Sequence, residues 1–170
     1  MKNLVLVGFM GTGKTAVGKR VAPRLGLRFV DMDAVIEERA GQTVAQIFAA
    51  KGEPHFRQLE RDLVVELAGQ QGLVIATGGG IVLNADNITD YSRTGVVVCL
   101  WAEPATIFKR TQYSRKRPLL ENEADRRKRI DELLRVREPY YKAIPLLIDN
   151  SHSTVEQDVE HVLKLYQQHA

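Results

Sequence analysis

Short apolar runs alternate with stretches of helical periodicity along the chain. The runs are apolar at nearly every position and cover residues 4–7, 27–30, 73–76, 96–101 and 146–149. Continuous rather than alternating hydrophobicity predicts strands that are buried on both faces, as in parallel sheets. The pattern therefore predicts an α/β fold with three layers (α/β/α), in which helices cover a five-stranded parallel sheet.

The helical patterns between the runs begin and end at recognisable residues. The first carries apolar residues four positions apart, Val17, Val21 and Leu25, and ends at Gly26. Further helices are predicted over residues 31–39, 43–50, 53–68, 124–137 and 154–167, and one opens at Pro104. Pro139 is expected to end the helix over 124–137, and Thr154 with Gln157 has capping-box spacing. Residues 112–123 lack periodicity and predict a mobile lid loop. No internal repeat or linker interrupts the pattern, so residues 1–170 are predicted to form a single domain.

Composition narrows the function less than the pattern does. The net charge of +3 is too small to indicate nucleic acid or a membrane as a partner, but residues 109–137 carry 11 Lys or Arg against 5 Asp or Glu. Such a cluster suits a phosphate ligand, although a solvated basic helix face would look the same. Cys99 is the only cysteine, which excludes an intrachain disulfide. The N-terminal apolar stretch runs into glycines instead of a cleavage site, so a cytoplasmic protein is expected.

A phosphate-binding loop follows the first predicted strand and precedes the first helix. Its glycines, Gly8, Gly11 and Gly13, let backbone N–H groups approach phosphates closely, and the helix N-terminus adds its dipole. Lys14 supplies a positive charge to the transferred phosphoryl group, and the Thr15 hydroxyl is a ligand for Mg²⁺. A chance glycine turn is disfavoured by the strand and helix on either side. The motif predicts a nucleoside triphosphate and says nothing about the acceptor.

Two carboxylates follow the second strand, at Asp31 and Asp33. In open α/β sheets, ligands bind at the carboxyl ends of strands. One carboxylate could hold hydrated Mg²⁺ while the other orients an attacking hydroxyl and accepts its proton. Alternatively, the pair could cap the helix that follows. The residues alone favour neither interpretation.

Two arginines are candidates for recognising an anionic acceptor. Arg57 lies three residues before Glu60 on an amphipathic helix, so it forms either a surface pair or a half-buried cation that Glu60 orients. Arg137 lies on the apolar face of the late helix, where an unpaired charge is costly unless it meets an anion or reaches solvent at the helix end. Arg135 is only two residues away, although Arg137 fits the apolar register better.

A glycine turn and the lid complete the candidate site. Gly78, Gly79 and Gly80 follow the third strand, and a turn without side chains lets a ligand contact backbone N–H groups. The alternative is a plain flexible turn. In the lid, Arg117 precedes Pro118, and an arginine there could neutralise charge on the transferred phosphoryl group and exclude water. A solvated basic loop is the alternative.

Together these motifs resemble the shikimate kinase family over essentially the whole chain. The phosphate-binding loop, Gly8-x4-Gly13-Lys14-Thr15, has the Walker A pattern, which many families share, whereas the other motifs in this order are specific. The resemblance implies a sheet of the P-loop NTPase type. They are Asp31-x-Asp33, Phe56-Arg57-x-x-Glu60, Gly78-Gly79-Gly80, Arg117-Pro118-Leu119-Leu120 and Arg137-x-Pro139-x-Tyr141. Lys116 departs from the pattern, because a less charged residue is expected beside the lid arginine.

The resemblance implies transfer of the γ-phosphoryl group of ATP to the 3-hydroxyl of shikimate, on the route to chorismate and the aromatic amino acids, by a monomer with Mg²⁺. It implies catalytic roles for Lys14, Asp33 and Arg117, and Mg²⁺ ligation through Thr15 and Asp31. The predicted ATP contacts are Gly11, Thr12, Gly13, Lys14, Thr15, Ala16, Arg110 and Arg117. The predicted shikimate contacts are Asp33, Arg57, Gly78, Gly79, Gly80 and Arg137, partly from a helical region over residues 32–60.

Two other functions fit part of the sequence. Another small-metabolite P-loop kinase, such as a gluconate kinase, would share the phosphate loop and the sheet but would not require the two arginines. A non-catalytic nucleotide-binding module would be expected to have lost Lys14, Thr15 or one of the two aspartates, and all are present. Binding of RNA is disfavoured because few aromatic residues accompany the cations of the lid.

Overall fold

A single parallel sheet organises the protein. The computed structural model describes residues 1–112 and 126–170, and its strands lie in the order β2-β3-β1-β4-β5. All pairings are parallel, which confirms the predicted α/β/α class. The second strand is shifted by one residue from its predicted position. The strands are β1 Asn3–Val7, β2 Arg28–Asp31, β3 Leu73–Ala76, β4 Gly95–Trp101 and β5 Leu147–Asp149.

Helices cover both faces of the sheet. They are α1 Lys14–Leu25, α2 Met32–Ala40, α3 Val44–Ala68, α4 Ala85–Thr94, α5 Pro104–Thr111, α6 Arg126–Lys142 and α7 Val155–His169, with a 3₁₀ helix at Gly79–Leu83. On one face, α1 and α7 bury an aliphatic layer that includes Val17, Val21 and Val162. On the other, α3, α4 and α6 bury larger side chains such as Phe56 and Tyr141. None of the helices in the described ranges combines the length and the apolar character needed to cross a membrane.

Local signals account for most helix ends. Gly26 and Gly41 end α1 and α2 with φ of 66° and 64°, a left-handed conformation that disfavours residues with a Cβ. The predicted capping box of α7 is confirmed, because the Thr154 hydroxyl accepts from the Gln157 N–H and the Gln157 side chain accepts from the Thr154 N–H. At Gly52, φ of 80° and ψ of 170° break α3 at the predicted interruption.

Two helices differ from the prediction. No helix was predicted at the position of α4, because α4 buries the amide of Asn87 where an apolar residue would have indicated a helix. Asn87 Nδ2 donates to the Ile81 carbonyl, and its Oδ1 accepts from Arg61. The predicted end of α6 at Pro139 is wrong, since the helix continues to Lys142. A proline inside a helix removes one hydrogen bond, and burial of Tyr141 in the following turn offsets that loss.

Candidate active site

The phosphate-binding loop connects β1 to α1 and depends on glycine. Gly8, Gly11 and Gly13 have φ of 148°, 81° and 91°, and a Cβ at Gly8 would lie 2.3 Å from the Leu100 carbonyl oxygen. Lys14 opens α1, and its Nζ donates to the carbonyls of Gly8 at 2.7 Å and Phe9 at 3.0 Å. The ammonium group is therefore held over the concave side of the loop, where phosphates bind in loops of this kind.

The remaining predicted nucleotide contacts surround this loop. The Thr12 hydroxyl donates to the Phe9 carbonyl at 2.8 Å, so this side chain stabilises the loop itself. Ala16 lies in the first turn of α1. Arg110 of α5 reaches the loop from the other side, with Nη1 at 3.4 Å from the Gly11 carbonyl. The predicted Arg117, with residues 113–123 of the lid, lies outside the described residues.

Asp31 caps a helix and also contacts the end of the phosphate-binding loop. One of its oxygens, Oδ1, accepts from the Ala34 N–H at 3.3 Å and caps α2. The other, Oδ2, accepts from the Thr15 hydroxyl of α1 at 2.8 Å. Capping fixes the carboxylate beside the phosphate loop, so the structural role and the proposed chemical role use different oxygens of one group. Asp33 lies inside α2, beyond the cap position.

Two carboxylates converge on Gly78 at the end of β3. A Cβ at Gly78 would lie 2.5 Å from Glu60 Oε2 and 3.3 Å from Asp33 Oδ1. Glu60 is 2% exposed, and its Oε1 accepts from Arg57 Nη1 at 2.6 Å. Burial raises the pKa of Glu60, Arg57 opposes this shift, and the nearby charge of Asp33 adds to it. The turn thus meets a dense group of charges that are partly shielded from water.

Two arginines contact the same turn. Arg57, oriented by Glu60 and Glu53, lies so close to Gly80 that a Cβ there would be 2.4 Å from its Nη2. Arg137 is 3% exposed, and its Nη1 would be 3.4 Å from a Cβ at Gly79. Arg135 is exposed, so Arg137 is the inward-facing residue of the two. We call Asp33, Arg57, Glu60 and Arg137 with residues 78–80 the acceptor cluster.

The buried charge of Arg137 lacks a carboxylate of its own. Within residues 1–112 and 126–170, no ion pair includes Arg137, and its guanidinium carbon lies 5.6 Å from the centroid of the Phe9 ring. The charge of Glu60 interacts with Arg137, but Glu60 pairs directly with Arg57, so burial of the Arg137 guanidinium stays costly. An anionic ligand would remove that cost, and the planar fork of arginine suits a carboxylate.

Tyr141 belongs to this site, although the sequence analysis assigned it no role. Its hydroxyl donates to the Gly79 carbonyl at 2.5 Å, and burial raises the pKa of the phenol. The sequence signal was available, since Tyr141 lies four residues after Arg137 and therefore on the same face of α6. The turn is also adjacent to the phosphate loop: a Cβ at Gly79 would lie 3.4 Å from the Met10 nitrogen.

Phosphoryl transfer requires such an arrangement, in which a phosphate-binding loop is adjacent to a cationic pocket with a carboxylate. The residues predicted from five separate segments meet at the carboxyl end of the sheet. Parallel pairing explains this, because the carboxyl ends of β1, β2 and β3 lie side by side.

Comparisons with known proteins agree with this geometry. A family model described as shikimate kinase matches residues 10–167. A shikimate kinase of Caldanaerobacter subterraneus subsp. tengcongensis is 47% identical over 98% of this chain and 96% of that protein. One of Pelotomaculum thermopropionicum is 46% identical over 99% of this chain and 98% of that protein.

Solved structures show the same relationship. A shikimate kinase from Acinetobacter baumannii in complex with shikimate has a TM-score of 0.92 at 34% identity, covering 99% of this chain and 94% of that one. A gluconokinase from Sinorhizobium meliloti has a TM-score of 0.63 at 14% identity, covering 98% of this chain and 92% of that one. The second likeness is one of fold alone.

Gly78→Ala tests the crowding of the acceptor cluster. The φ of −69° at Gly78 is suitable for alanine, so the cost should come from the methyl group meeting the buried Glu60 and Asp33 carboxylates. We expect a loss of about 1–3 kcal/mol in the free energy of unfolding, measured by urea denaturation. Gly69→Ala is the matched control, since its φ is −77° and its nearest neighbour would be 3.5 Å away. Equal stability of the two variants would contradict the described crowding.

Proposed function

The chain belongs to the shikimate kinase family and is an ATP-using kinase of the shikimate pathway, and we propose that its acceptor cluster binds shikimate while the phosphate-binding loop binds ATP. The observation that carries the proposal is the buried Arg137, which has no ion pair among the described residues and lies beside the glycine turn next to the loop. The carboxylate and the 3-hydroxyl of shikimate then each have a chemically matched partner.

The two arginines take the carboxylate of shikimate. Arg137 is already desolvated, and Arg57 is held by Glu60 and Glu53, so little side-chain freedom is lost when the substrate binds. The turn at Gly78, Gly79 and Gly80 permits a ring to approach the backbone, because no side chains project from it. Side chains at these three positions would also collide with Glu60, Arg137 and Arg57, respectively. A small anionic alcohol is the class of acceptor that this pocket favours.

Asp33 orients the 3-hydroxyl and receives its proton. It lies near Glu60, on the side of Gly78 that a Cβ would occupy, in the first turn of α2 and two residues after Asp31, which contacts the Thr15 hydroxyl. In a loose transition state the hydroxyl gives up its proton late, so orientation of the nucleophile is the earlier task of the carboxylate. The Glu60 carboxylate is engaged by Arg57, and the family resemblance assigns this role to Asp33.

The donor side stabilises the triphosphate. Backbone N–H groups of the loop from Gly11 to Thr15 surround the phosphates, and the Lys14 ammonium exchanges its loop carbonyl partners for phosphate oxygens. Arg110 contacts the nucleotide at the outer end of the loop. Arg117, outside the described residues, remains the predicted second cation for the transferred group.

Thr15 and Asp31 would hold Mg²⁺. Their oxygens lie 2.8 Å apart at the edge of the loop, and hydroxyl and carboxylate oxygens are the donors that Mg²⁺ prefers. The ion supplies charge neutralisation for the β- and γ-phosphates when bound. The fit of two oxygen ligands supports this metal. A monomeric state, which the family resemblance implies, and a cytoplasmic location, which the N-terminal sequence led us to expect, stay predictions.

The alternatives have less support. Similarity to a gluconokinase extends only to the fold, and a gluconate site does not account for the second arginine. The non-catalytic alternative is excluded by membership of a kinase family.

The choice of acceptor is tested with a coupled assay for ADP release. Shikimate, gluconate and nucleoside monophosphates are offered separately with ATP and Mg²⁺. We expect turnover with shikimate and only background ATP hydrolysis with the others, because the arginine pair selects a carboxylate on a compact ring. Turnover with gluconate in place of shikimate would contradict the proposed substrate.

Arg57→Ala and Arg137→Ala test carboxylate recognition. Each should raise the KM for shikimate by about 100-fold, since a charge-assisted pair contributes about 1.5–3 kcal/mol and more when desolvated. Binding of ATP, measured by calorimetry, should change little. Arg61→Ala is the control, because Arg61 lies one turn further along α3 and pairs with Asp90 instead. Equal losses of both substrates would assign the arginines a folding role.

Asp33→Asn tests the role of the carboxylate in the reaction. The amide has the same shape and can still orient the hydroxyl, but it cannot accept the proton. We expect kcat to fall by about 10²–10⁴-fold with the melting temperature and the shikimate dissociation constant nearly unchanged. A kcat close to that of the parent protein would remove Asp33 from the proton transfer.

A further inference from the structure

Asn150 is a buried polar residue at the carboxyl end of β5, beside the phosphate-binding loop. It is 0% exposed, and its backbone N–H donates to the Trp101 carbonyl at 2.8 Å. Burying an amide is costly unless its donors and acceptor are satisfied. The positions of its partners therefore indicate what this residue does.

The amide of Asn150 joins two parts of the nucleotide side. Its Nδ2 donates to the Thr12 carbonyl of the loop at 2.7 Å and to Asp158 Oδ2 at 3.0 Å. Its Oδ1 accepts from Arg110 Nη1 at 3.2 Å, and its backbone carbonyl accepts from Arg110 Nη2 at 2.9 Å. One side of the amide thus meets only acceptors and the other only a donor, so a single orientation satisfies its three side-chain contacts.

Asp158 fixes the orientation of the Asn150 amide by accepting a hydrogen bond from Nδ2. It is 3% exposed in the first turn of α7, where the helix dipole favours a negative charge. The Ser153 hydroxyl donates to its other oxygen. Asp158 does not reach the loop itself, so its effect on the loop passes through Asn150.

The hydrogen bonds that hold Arg110 are made by the N–H groups at the edge of its guanidinium. Both Nη atoms contact Asn150, and Nη1 also lies 3.4 Å from the Gly11 carbonyl, while the residue as a whole is exposed. In-plane hydrogen bonds leave the flat face of a guanidinium available for stacking on an aromatic ring, such as a purine base.

We propose that Asn150 is a positioning residue for nucleotide binding, which aligns the Thr12 carbonyl of the phosphate loop with the Arg110 guanidinium through one amide. It makes the loop and the base-side arginine a single preorganised unit for an adenosine nucleotide. The inference rests on the use of ATP in the proposed function. It assigns Asn150 and Asp158 to the binding of the nucleotide and not to the binding of shikimate.

Asn150→Asp is the principal test. The variant keeps the size of the side chain and the acceptor for Arg110, but it places a second carboxylate oxygen against the Thr12 carbonyl and Asp158. We expect the dissociation constant for ADP with Mg²⁺, measured by calorimetry, to rise about tenfold or more. The KM for ATP should rise in parallel, while the KM for shikimate stays within about twofold.

A second variant separates positioning from stability. In Asn150→Asp combined with Asp158→Asn, the amide introduced at position 158 can donate to the carboxylate at 150, so the buried pair regains its hydrogen bond. The Thr12 carbonyl still lacks its donor. We expect the melting temperature to recover towards the parent value while affinity for ADP stays about fivefold weaker or more. This variant carries the test if Asn150→Asp alone is too unstable to assay.

Asn3→Asp is the matched control. Asn3 is also 0% exposed, donates to the Leu67 and Gln70 carbonyls, and accepts from the Leu73 N–H, but it lies at the amino end of the central strand β1, away from the phosphate loop. It should lower the melting temperature without changing the affinity for ADP.

Three results would overturn the inference. They are an unchanged ADP affinity in Asn150→Asp, equal losses of ADP and shikimate affinity, and joint recovery of stability and ADP affinity in the double variant. A lack of shikimate turnover in the parent protein would instead contradict the proposed function, and the ADP titrations would still decide the role of Asn150.

Discussion

The close approach of charged side chains to the turn at residues 78–80 is the constraint on which the site depends. A Cβ at any of the three glycines would meet a carboxylate or a guanidinium within 2.4–3.4 Å. Two arginines and two carboxylates can therefore surround one short backbone segment without intervening side chains. Charges of opposite sign at this density hold one another in place, which leaves Arg137 available to an incoming anion.

Helix capping and chemistry share residues in this protein. Asp31 caps α2 with one oxygen and contacts Thr15 with the other, so the carboxylate needs no separate support. On α6, Arg137 and Tyr141 lie on one face and both approach Gly79, because the Tyr141 hydroxyl donates to its carbonyl and Arg137 Nη1 would lie 3.4 Å from a Cβ there. A helix continued through Pro139 is what keeps these two side chains in register.

Most of the sheet and the loop could be predicted from the sequence, because both depend on local patterns. Apolar runs marked the strands, and glycines marked the phosphate loop and the helix ends. Helix α4 could not be predicted in this way, since its buried face includes Asn87, whose partners come from distant segments. Helix patterning made Arg57 and Arg137 candidates and the family resemblance implied their role, but their convergence on one turn is tertiary. The resemblance placed the loop over residues 150–153 near the adenine, but it assigned Asn150 no role, because a single asparagine after a strand is an ordinary turn residue until its partners are known.

The phosphate loop is itself a product of tertiary structure. Its glycine-rich sequence permits the conformation, but three other segments restrict it: the Leu100 carbonyl of β4 against Gly8, the turn at Gly79 against Met10, and Asn150 on the Thr12 carbonyl. The segment at Gly79 belongs to the acceptor cluster, and the one at Asn150 to the base side. Because binding sites made of backbone groups lose affinity when the backbone is free to move, contacts on both sides of the loop reduce the entropy lost when phosphates bind. A Walker A motif thus identifies the phosphoryl donor, whereas the affinity and the geometry with which the loop binds phosphates depend on residues that the motif does not contain.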